Sequence, residues 1–173
     1  MKNNLKEINI CLAGNPNCGK SSLFNNLTGL RQHVGNYPGV TVEKKEGSLV
    51  NGNYKINVVD LPGIYSLSAS SEDEVVARNF IIEQKPDLII DVVDASNFER
   101  NLYLYTQLSE LGVKVIIALN MLDVLKNKGQ EIDCELLMKS YGILAVPTVA
   151  NKNKGTEDLI KSVIDVYENK RDI

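Results

Sequence analysis

The sequence contains no tryptophan, a single histidine and only three cysteines among its 173 residues. The cysteines, Cys11, Cys18 and Cys134, are widely spaced and form no CxxC pair, which argues against a disulfide framework or a zinc site. No apolar run approaches the roughly 18 residues of a membrane-spanning helix, and Met1–Glu7 lacks the apolar core of a signal peptide. We therefore expect a soluble chain that stays in the cytosol with reduced thiols.

The charge balance also lacks a basic excess. The formal net charge is -3 and the pI is about 5.3. This balance gives no electrostatic reason to expect nucleic acid as a partner or docking on anionic lipid. Apolar residues make up 43% and charged residues 24% of the chain, as in ordinary globular proteins. The length suits a single domain over residues 1–173 with a full hydrophobic core.

Short apolar runs rich in Val and Ile alternate with helical patterns along the chain. The predicted strands are Ile8–Ala13, Thr41–Val50, Tyr54–Val59, Leu88–Val93, Val113–Leu119 and Ile143–Val149. The predicted helices are Gly19–Thr28, one that follows a capping box of Ser71 and Glu74, Asn97–Leu111, Ile132–Tyr141 and Glu157–Tyr167. The pattern predicts an α/β fold with a mostly parallel six-stranded sheet and about five helices. Asn51-Gly52 predicts a hairpin that adds one antiparallel edge strand.

The segment Gly14–Ser21 matches the pattern GxxxxGK[ST] and lies between a predicted strand and a predicted helix. Glycines allow backbone N–H groups to surround a phosphate, and the helix N-terminus adds positive potential. We predict that Lys20 reaches the β- and γ-phosphates and that the Ser21 hydroxyl binds Mg²⁺. The predicted nucleotide-binding residues here are Gly14, Asn15, Pro16, Asn17, Cys18, Gly19, Lys20, Ser21 and Ser22. This context predicts the three-layer architecture of P-loop NTPases.

Two further segments are candidates for sensing the metal and the γ-phosphate. Asp60-Leu61-Pro62-Gly63 ends a predicted strand, where Asp60 can hold the Mg²⁺ shell and the Gly63 N–H can meet the γ-phosphate. Thr41 follows a polar, glycine-containing stretch, and its hydroxyl could complete the Mg²⁺ shell when GTP is bound. The alternative is a threonine that merely starts a strand.

The segment Asn120-Met121-Leu122-Asp123 follows another predicted strand and resembles the guanine motif NKxD with Met in place of Lys. Guanine offers two adjacent donors to a carboxylate, whereas adenine would leave that carboxylate unpaired. We therefore predict that Asp123 reads guanine, that Asn120 bonds the base edge and holds the phosphate loop, and that Met121 covers a base face. Val149, Ala150 and Asn151 are predicted to place a backbone N–H against the base, with Ala150 as the main candidate.

Four stretches together resemble FeoB, the prokaryotic ferrous iron transporter, within the Ras-like translation-factor-related GTPases. These stretches are Gly14–Ser21, Val34–Glu43, Asp60–Leu67 and Val93–Tyr103. The resemblance implies the N-terminal cytosolic GTPase domain of that family, at the cytoplasmic face of the cell membrane. It implies a helical spacer and a membrane-embedded region as partners, both absent from this chain, with no iron site in this domain. Self-association stays open.

The resemblance also implies a GTP-driven switch that regulates ferrous iron uptake. GTP would close the first switch segment, Arg31–Val42, and the second switch segment, Gly63–Ser71, and hydrolysis would release them. Ras-type enzymes orient water with a Gln directly after DxxG, but this chain has Ile64 there. We therefore expect slow hydrolysis, with Lys20, Asn17, Thr41 and Gly63 as the catalytic residues.

The phosphate loop has no arginine, and the resemblance implies that a potassium ion fills this charge role. The implied ligands are Asn17 and backbone carbonyls around Gly35 and Tyr37. The alternative is that Asn17 simply turns the loop.

Three other functions compete with this prediction. A ribosome- or RNA-associated GTPase would share the same motifs, but the acidic pI argues against it. A binding module that senses nucleotide without useful turnover is suggested by Ile64. An ATPase is opposed by Asp123.

Overall fold

The computed structural model describes residues 5–171 and residue 173, so the first four residues of the predicted polar N-terminus lie outside the described part. Within the described part, one sheet contains seven strands in the order β2-β3-β4-β1-β5-β6-β7. The strands are β1 (Lys6–Gly14), β2 (Gln32–Asn36), β3 (Glu43–Asn51), β4 (Tyr54–Asp60), β5 (Leu88–Asp94), β6 (Lys114–Asn120) and β7 (Ala145–Pro147).

Six α-helices lie between or after these strands over the residues that the structure describes. They are α1 (Lys20–Thr28), α2 (Glu72–Gln84), α3 (Phe98–Ser109), α4 (Leu122–Asn127), α5 (Cys134–Tyr141) and α6 (Thr156–Tyr167). Single 3₁₀ turns occupy Ala95–Asn97 and Ala150–Lys152. No helix among residues 5–171 combines the length and the apolar character that crossing a membrane requires.

The predicted three-layer α/β architecture is confirmed. Strands β1, β4, β5, β6 and β7 are parallel, and alternating side chains of the central strands are buried on both faces of the sheet. One face packs against α1 and α6, and the other packs against α2 and α3. Because both faces are covered, the carboxyl ends of the parallel strands and the loops that follow them are left to form a ligand site.

The sheet has one strand more than the sequence pattern predicts. Strand β2 lies outside β3 and pairs with it in antiparallel register, so β3 is the antiparallel strand but not the edge of the sheet. All five residues of β2 are exposed, so no buried alternation marks it in the sequence. The predicted strand start at Thr41 is also shifted, because β3 begins at Glu43.

The structure differs from the sequence-based predictions at one turn, one short helix and one helix cap. The β3–β4 hairpin turns at Gly52 and Asn53, since Asn51 pairs with Tyr54, and Gly52 supplies the positive φ of 55°. The short helix α4 was not predicted, because six residues carry too little periodicity. Ser71 caps α2 by accepting the Glu74 N–H at 3.2 Å, but the Glu74 carboxylate accepts the Ser70 N–H at 3.0 Å, so the predicted capping box is only half formed.

Candidate functional site

The loops at the carboxyl ends of β1, β4 and β6 form one pocket. The pocket is lined by Asn15, Pro16, Asn17, Gly19, Lys20, Ser21, Ser22, Gly63 and Met121. The structure therefore brings together most of the predicted phosphate loop, the DxxG glycine and one residue of the base motif. These residues come from three distant parts of the chain, and the parallel strands place them at the same edge of the sheet.

Gly19 allows the phosphate loop to pass against the base motif. Its φ is 92°, and a Cβ at this position would lie 2.2 Å from Asn120 Nδ2. Real atoms do not approach so closely, so only glycine fits between the end of the loop and Asn120. Gly63 is also close to the loop, because a Cβ there would lie 3.3 Å from Pro16 Cα. The phosphate loop is thus contacted from both sides.

Lys20 and Asp60 contact each other directly. The Lys20 Nζ lies 2.5 Å from Asp60 Oδ1 and donates a second hydrogen bond to the Leu61 carbonyl at 2.6 Å. Both side chains are largely buried, at 10% and 8% exposure. Burial raises the pKa of the Asp60 carboxyl, and the Lys20 ammonium opposes that rise. Lys20, predicted to bind phosphate, and Asp60, predicted to bind the metal, therefore form an ion pair with each other.

The residue after DxxG is buried in the core. Ile64 is 2% exposed and packs in the core between the sheet, α2 and α3. Its backbone N–H donates to the Gly14 carbonyl at 3.1 Å, which holds the second switch segment against the phosphate loop. The side chain at this position therefore cannot orient a nucleophile, in agreement with the chemistry of isoleucine.

The first switch segment lies at the sheet edge. Gly35 pairs with Lys44 in the β2–β3 ladder, and the Tyr37 carbonyl accepts the Val40 N–H at 3.3 Å. Thr41 lies exposed on the turn before β3. The structure thus does not bring Thr41, Gly35 or Tyr37 into the pocket that contains Asn17. The potassium ligand set that the resemblance implies stays a prediction.

Tyr37 packs into the core. Its side chain is 5% exposed, and its hydroxyl donates to the Asp60 backbone carbonyl at 3.2 Å. The ring meets Phe80 edge-on with centroids 5.9 Å apart. Burial raises the pKa of the Tyr37 hydroxyl, so the group stays a neutral donor. The first switch segment is therefore fastened to the strand end that carries Asp60.

Asn120 links the phosphate loop to the loop after β7. Its Nδ2 donates to the Cys18 carbonyl at 2.9 Å, and its Oδ1 accepts the Ala150 N–H at 2.9 Å. The Thr148 hydroxyl approaches the same oxygen at 3.4 Å. Asn120 is 3% exposed, so these bonds are shielded from water. The predicted link to the phosphate loop is present, while the Ala150 N–H is engaged by Asn120.

Asp123 pairs with a lysine that the sequence motifs did not single out. Lys152 Nζ lies 2.6 Å from Asp123 Oδ2, and the Val124 N–H donates to Oδ1 at 3.1 Å. The hydrogen bond from Lys152 lowers the pKa of the Asp123 carboxyl, so it is held ionised. Met121 adopts φ 61° directly before α4. Lys152 follows the predicted trio Val149, Ala150 and Asn151 and belongs to no motif.

Further polar contacts around the site were also absent from the prediction. Asn26 of α1 donates to the Ala150 carbonyl at 2.7 Å. Glu74 accepts hydrogen bonds from the hydroxyls of three serines in the second switch segment, and these bonds lower its pKa to about 2. Those serines are Ser66, Ser68 and Ser70. A segment rich in serine is typical of a loop, so nothing in the sequence indicated that these hydroxyls share Glu74 as an acceptor.

The donor chemistry at the phosphate loop suits Mg²⁺. The Ser21 hydroxyl and the Asp60 carboxylate are hard oxygen ligands, which magnesium prefers. Ser21 is exposed at the start of α1, and Asp60 ends β4 beside Lys20. The Asn15 amide oxygen and Asp91 Oδ2 are the buried side-chain atoms without a hydrogen-bond partner among residues 5–171 and 173. Asn15 lies within the loop, where a donor would satisfy it.

Comparisons with known proteins identify relatives across nearly the whole chain. The profile of the family described as ferrous iron transport protein B matches residues 8–163. The Fe(2+) transporter FeoB of Salmonella typhimurium is 50% identical over 165 residues, which cover 93% of this chain and 21% of that protein. The chain thus spans about a fifth of the length of such curated relatives.

Solved structures agree with this match. The G domain of the T. maritima FeoB iron transporter is 44% identical with a TM-score of 0.87, covering 94% of this chain and 99% of that one. The cytosolic domain of the same transporter in a GDP form is 45% identical with a TM-score of 0.89, covering 93% of this chain and 63% of that one. The chain therefore belongs to the FeoB family and corresponds to its N-terminal G domain.

Proposed function

We propose that this chain binds GTP and GDP, hydrolyses GTP slowly to GDP and phosphate, and regulates ferrous iron uptake as part of a FeoB-type transporter. The observation that carries the proposal is the position of Asn120. Its amide bonds both the phosphate loop at Cys18 and the base loop at Ala150. The two halves of a nucleotide site are therefore held at a fixed separation, as a ligand with a base at one end and phosphates at the other requires.

Guanine is the base that we propose for this site. The ionised Asp123 can accept from the N1–H and N2–H₂ groups of guanine, and adenine would leave the same carboxylate unpaired. Met121 provides an apolar surface for a base face. Because Asn120 occupies the Ala150 N–H, the neighbouring N–H of Asn151 becomes an additional candidate donor for the base. This assignment stays within the predicted trio Val149, Ala150 and Asn151.

Phosphate binding depends on Lys20. Its ammonium contacts the Asp60 carboxylate, and it can exchange that contact for β- and γ-phosphate oxygens. Ser21 and Asp60 would hold Mg²⁺, which supplies charge neutralisation at the phosphates when bound. Thr41 does not line the phosphate-loop pocket and lies on an exposed turn, so it would join them once the first switch segment moves. This displacement is the proposed sensing step for GTP.

Turnover should be slow because the usual water-orienting group is missing. Ile64 is buried and apolar. The Gly63 backbone and the phosphate loop would therefore have to position the γ-phosphate and the attacking water. We also propose that potassium stimulates turnover, with Asn17 as the ligand already at the loop. Gly35 lies in the β2–β3 ladder and the Tyr37 carbonyl accepts the Val40 N–H, so both would join this proposal only if the first switch segment rearranges. Equal phosphate release in KCl and NaCl at equal ionic strength would reject potassium stimulation.

The transport role follows from the family. The relatives are named as Fe(2+) transporters, and this chain corresponds to about a fifth of their length. We propose that its nucleotide state is passed to a helical spacer and a membrane-embedded region at the cytoplasmic face, on the same or a separate chain. Iron itself would be the cargo of that membrane region, and this domain would not bind it.

Calorimetric titration with nucleotides in the presence of magnesium tests the proposal. We expect GDP to bind at least about 100-fold more tightly than ADP, since a site built for a hydrogen-bonded base rejects analogues by large factors. Equal affinity for GDP and ADP would overturn the guanine assignment. Phosphate release followed over hours separates a slow GTPase from a nucleotide sensor without turnover.

A further inference from the structure

The ion pair between Lys152 and Asp123 joins the turn that follows β7 to the helix α4 that follows β6. Lys152 closes the 3₁₀ turn Ala150–Lys152, and Asp123 lies 29 residues earlier, in the first turn of α4. Their Nζ and Oδ2 atoms are 2.6 Å apart. The motif containing Asp123 carries Met121 where the NKxD pattern has a lysine. The cation nearest the guanine-reading carboxylate therefore comes from a different loop.

We propose that Lys152 is a positioning residue that sets the orientation of the Asp123 carboxylate for guanine recognition. This inference rests on the proposed function, since it needs Asp123 to read guanine. An ionised carboxylate has about four acceptor positions over its two oxygens. Lys152 uses one position on Oδ2, and the Val124 N–H uses one on Oδ1. Each oxygen keeps an acceptor position, which is what two parallel donors of guanine require.

The backbone that carries Lys152 is fixed by bonds to the rest of the site. The Ala150 N–H donates to Asn120, and Asn26 donates to the Ala150 carbonyl at 2.7 Å. The Lys152 N–H closes the turn on the Val149 carbonyl at 3.0 Å. Lys152 thus extends from a turn that is bonded to both α1 and the base motif. Such a support fixes the backbone position from which the Lys152 side chain reaches Asp123, which leaves less conformational freedom to be lost on binding.

The simpler interpretation is an ordinary surface ion pair. The two side chains are 53% and 33% exposed, and exposed pairs contribute little to stability. A positioning role makes a different prediction, because it acts on the base that is bound. Guanine engages both carboxylate oxygens, whereas hypoxanthine lacks the exocyclic amine and engages one. A misaligned carboxylate should therefore weaken GDP more than IDP, while loss of a surface pair should not distinguish them.

The test measures GDP and IDP affinities of the whole 173-residue chain with magnesium by calorimetric competition. We expect Lys152→Ala to weaken GDP about fivefold and IDP about twofold, which is the scale of an exposed charged pair. Lys152→Arg, which keeps a donor, should hold GDP affinity within about twofold of the parent. The control is Lys154→Ala, a change of the same charge on the same loop. The Lys154 ammonium makes no ion pair within the described chain, so we expect no change.

A double-mutant cycle with Asp123→Asn completes the test. In the Asp123→Asn background the ion pair is gone, so Lys152→Ala should change GDP affinity no further. An undiminished Lys152→Ala effect in that background, equal weakening of GDP and IDP, or no effect at all would overturn the positioning role. If Asp123→Asn alone leaves GDP affinity unchanged, the base pocket itself is misassigned, and the proposed function fails instead.

Discussion

The base side of the site and the first switch segment differ in how they meet the phosphate loop. On the base side, Asn120 is buried and bonded to two loops at 2.9 Å. On the other side, β2 is exposed along its whole length, and Thr41 lies on an exposed turn. The amide that links the two recognition loops is thus buried, while Thr41, the residue proposed to sense GTP, lies on an exposed turn near the sheet edge. From this difference we expect that nucleotide binding needs little rearrangement of the base side, and that sensing by Thr41 requires movement of the first switch segment.

Removing Lys20, the lysine predicted to bind phosphate, should have the largest effect on nucleotide affinity. We expect Lys20→Ala to weaken GDP by about 10³-fold, equivalent to about 4 kcal/mol, because the ammonium is the main cation at the loop. Calorimetry measures the loss, and circular dichroism checks that the fold survives with Asp60 unpaired. The matched control, Lys161→Ala on the exposed face of α6, should bind as the parent does. Retained tight binding by Lys20→Ala would contradict the phosphate-loop assignment.

Asp91 tests the support beneath the phosphate loop. This carboxyl is 1% exposed in β5, directly beside Ala13 of β1, and burial raises its pKa to about 7. The unfolded chain releases this proton near pH 4, so stability should fall as the pH rises from 4 to 7. At about 1.36 kcal/mol per pKa unit, the total loss is on the order of 4 kcal/mol.

Asp91→Asn should remove that loss. We expect the variant to gain stability over the parent progressively between pH 4 and 7 and to keep the gain above pH 7. Urea unfolding at several pH values measures the difference, with Glu110→Gln as a control at an exposed position. A difference that does not vary with pH would show that Asp91 is not neutral in the folded protein.

Asn120→Ala should separate the phosphate loop from the base loop. The change leaves the Cys18 carbonyl and the Ala150 N–H without their partner, and unsatisfied buried groups cost about 1–3 kcal/mol each. We expect a loss of about 2–3 kcal/mol in unfolding free energy together with weaker GDP binding. Asn26→Ala, which removes a single bond to the Ala150 carbonyl, should lose less in both measurements. Similar losses for the two variants would argue against a special linking role for Asn120.

Thr41→Ala should have the smallest effect and act on one nucleotide only. Because Thr41 is exposed, stability should change by less than about 0.5 kcal/mol. A non-hydrolysable GTP analogue with magnesium should bind about tenfold more weakly, equivalent to about 1.4 kcal/mol, while GDP is unaffected. Thr41→Ser keeps the hydroxyl and serves as the control. Equal weakening of both nucleotides would remove Thr41 from the sensing role.

The phosphate loop and the base motif could be predicted from sequence because their residues form short local motifs at strand ends. The alternation of strands and helices predicted the layers of the fold, and the spacing of residues in Gly14–Ser21 predicted the phosphate loop. Strand β2 could not be predicted, because its exposed polar residues carry no alternation and its pairing is supplied by β3. Lys152 was missed for a related reason. Its partner is distant in sequence, and only the fold brings the two loops together.

Asp60 has a further consequence for how the domain can be observed. Its side chain contacts Lys20, and its backbone carbonyl accepts the Tyr37 hydroxyl. A shift of this residue during nucleotide exchange would therefore alter the surroundings of a buried phenol ring. Since the chain has no tryptophan, tyrosine emission is not masked, and the spectrum of the wild-type protein minus that of Tyr37→Phe becomes an intrinsic optical record of the nucleotide cycle.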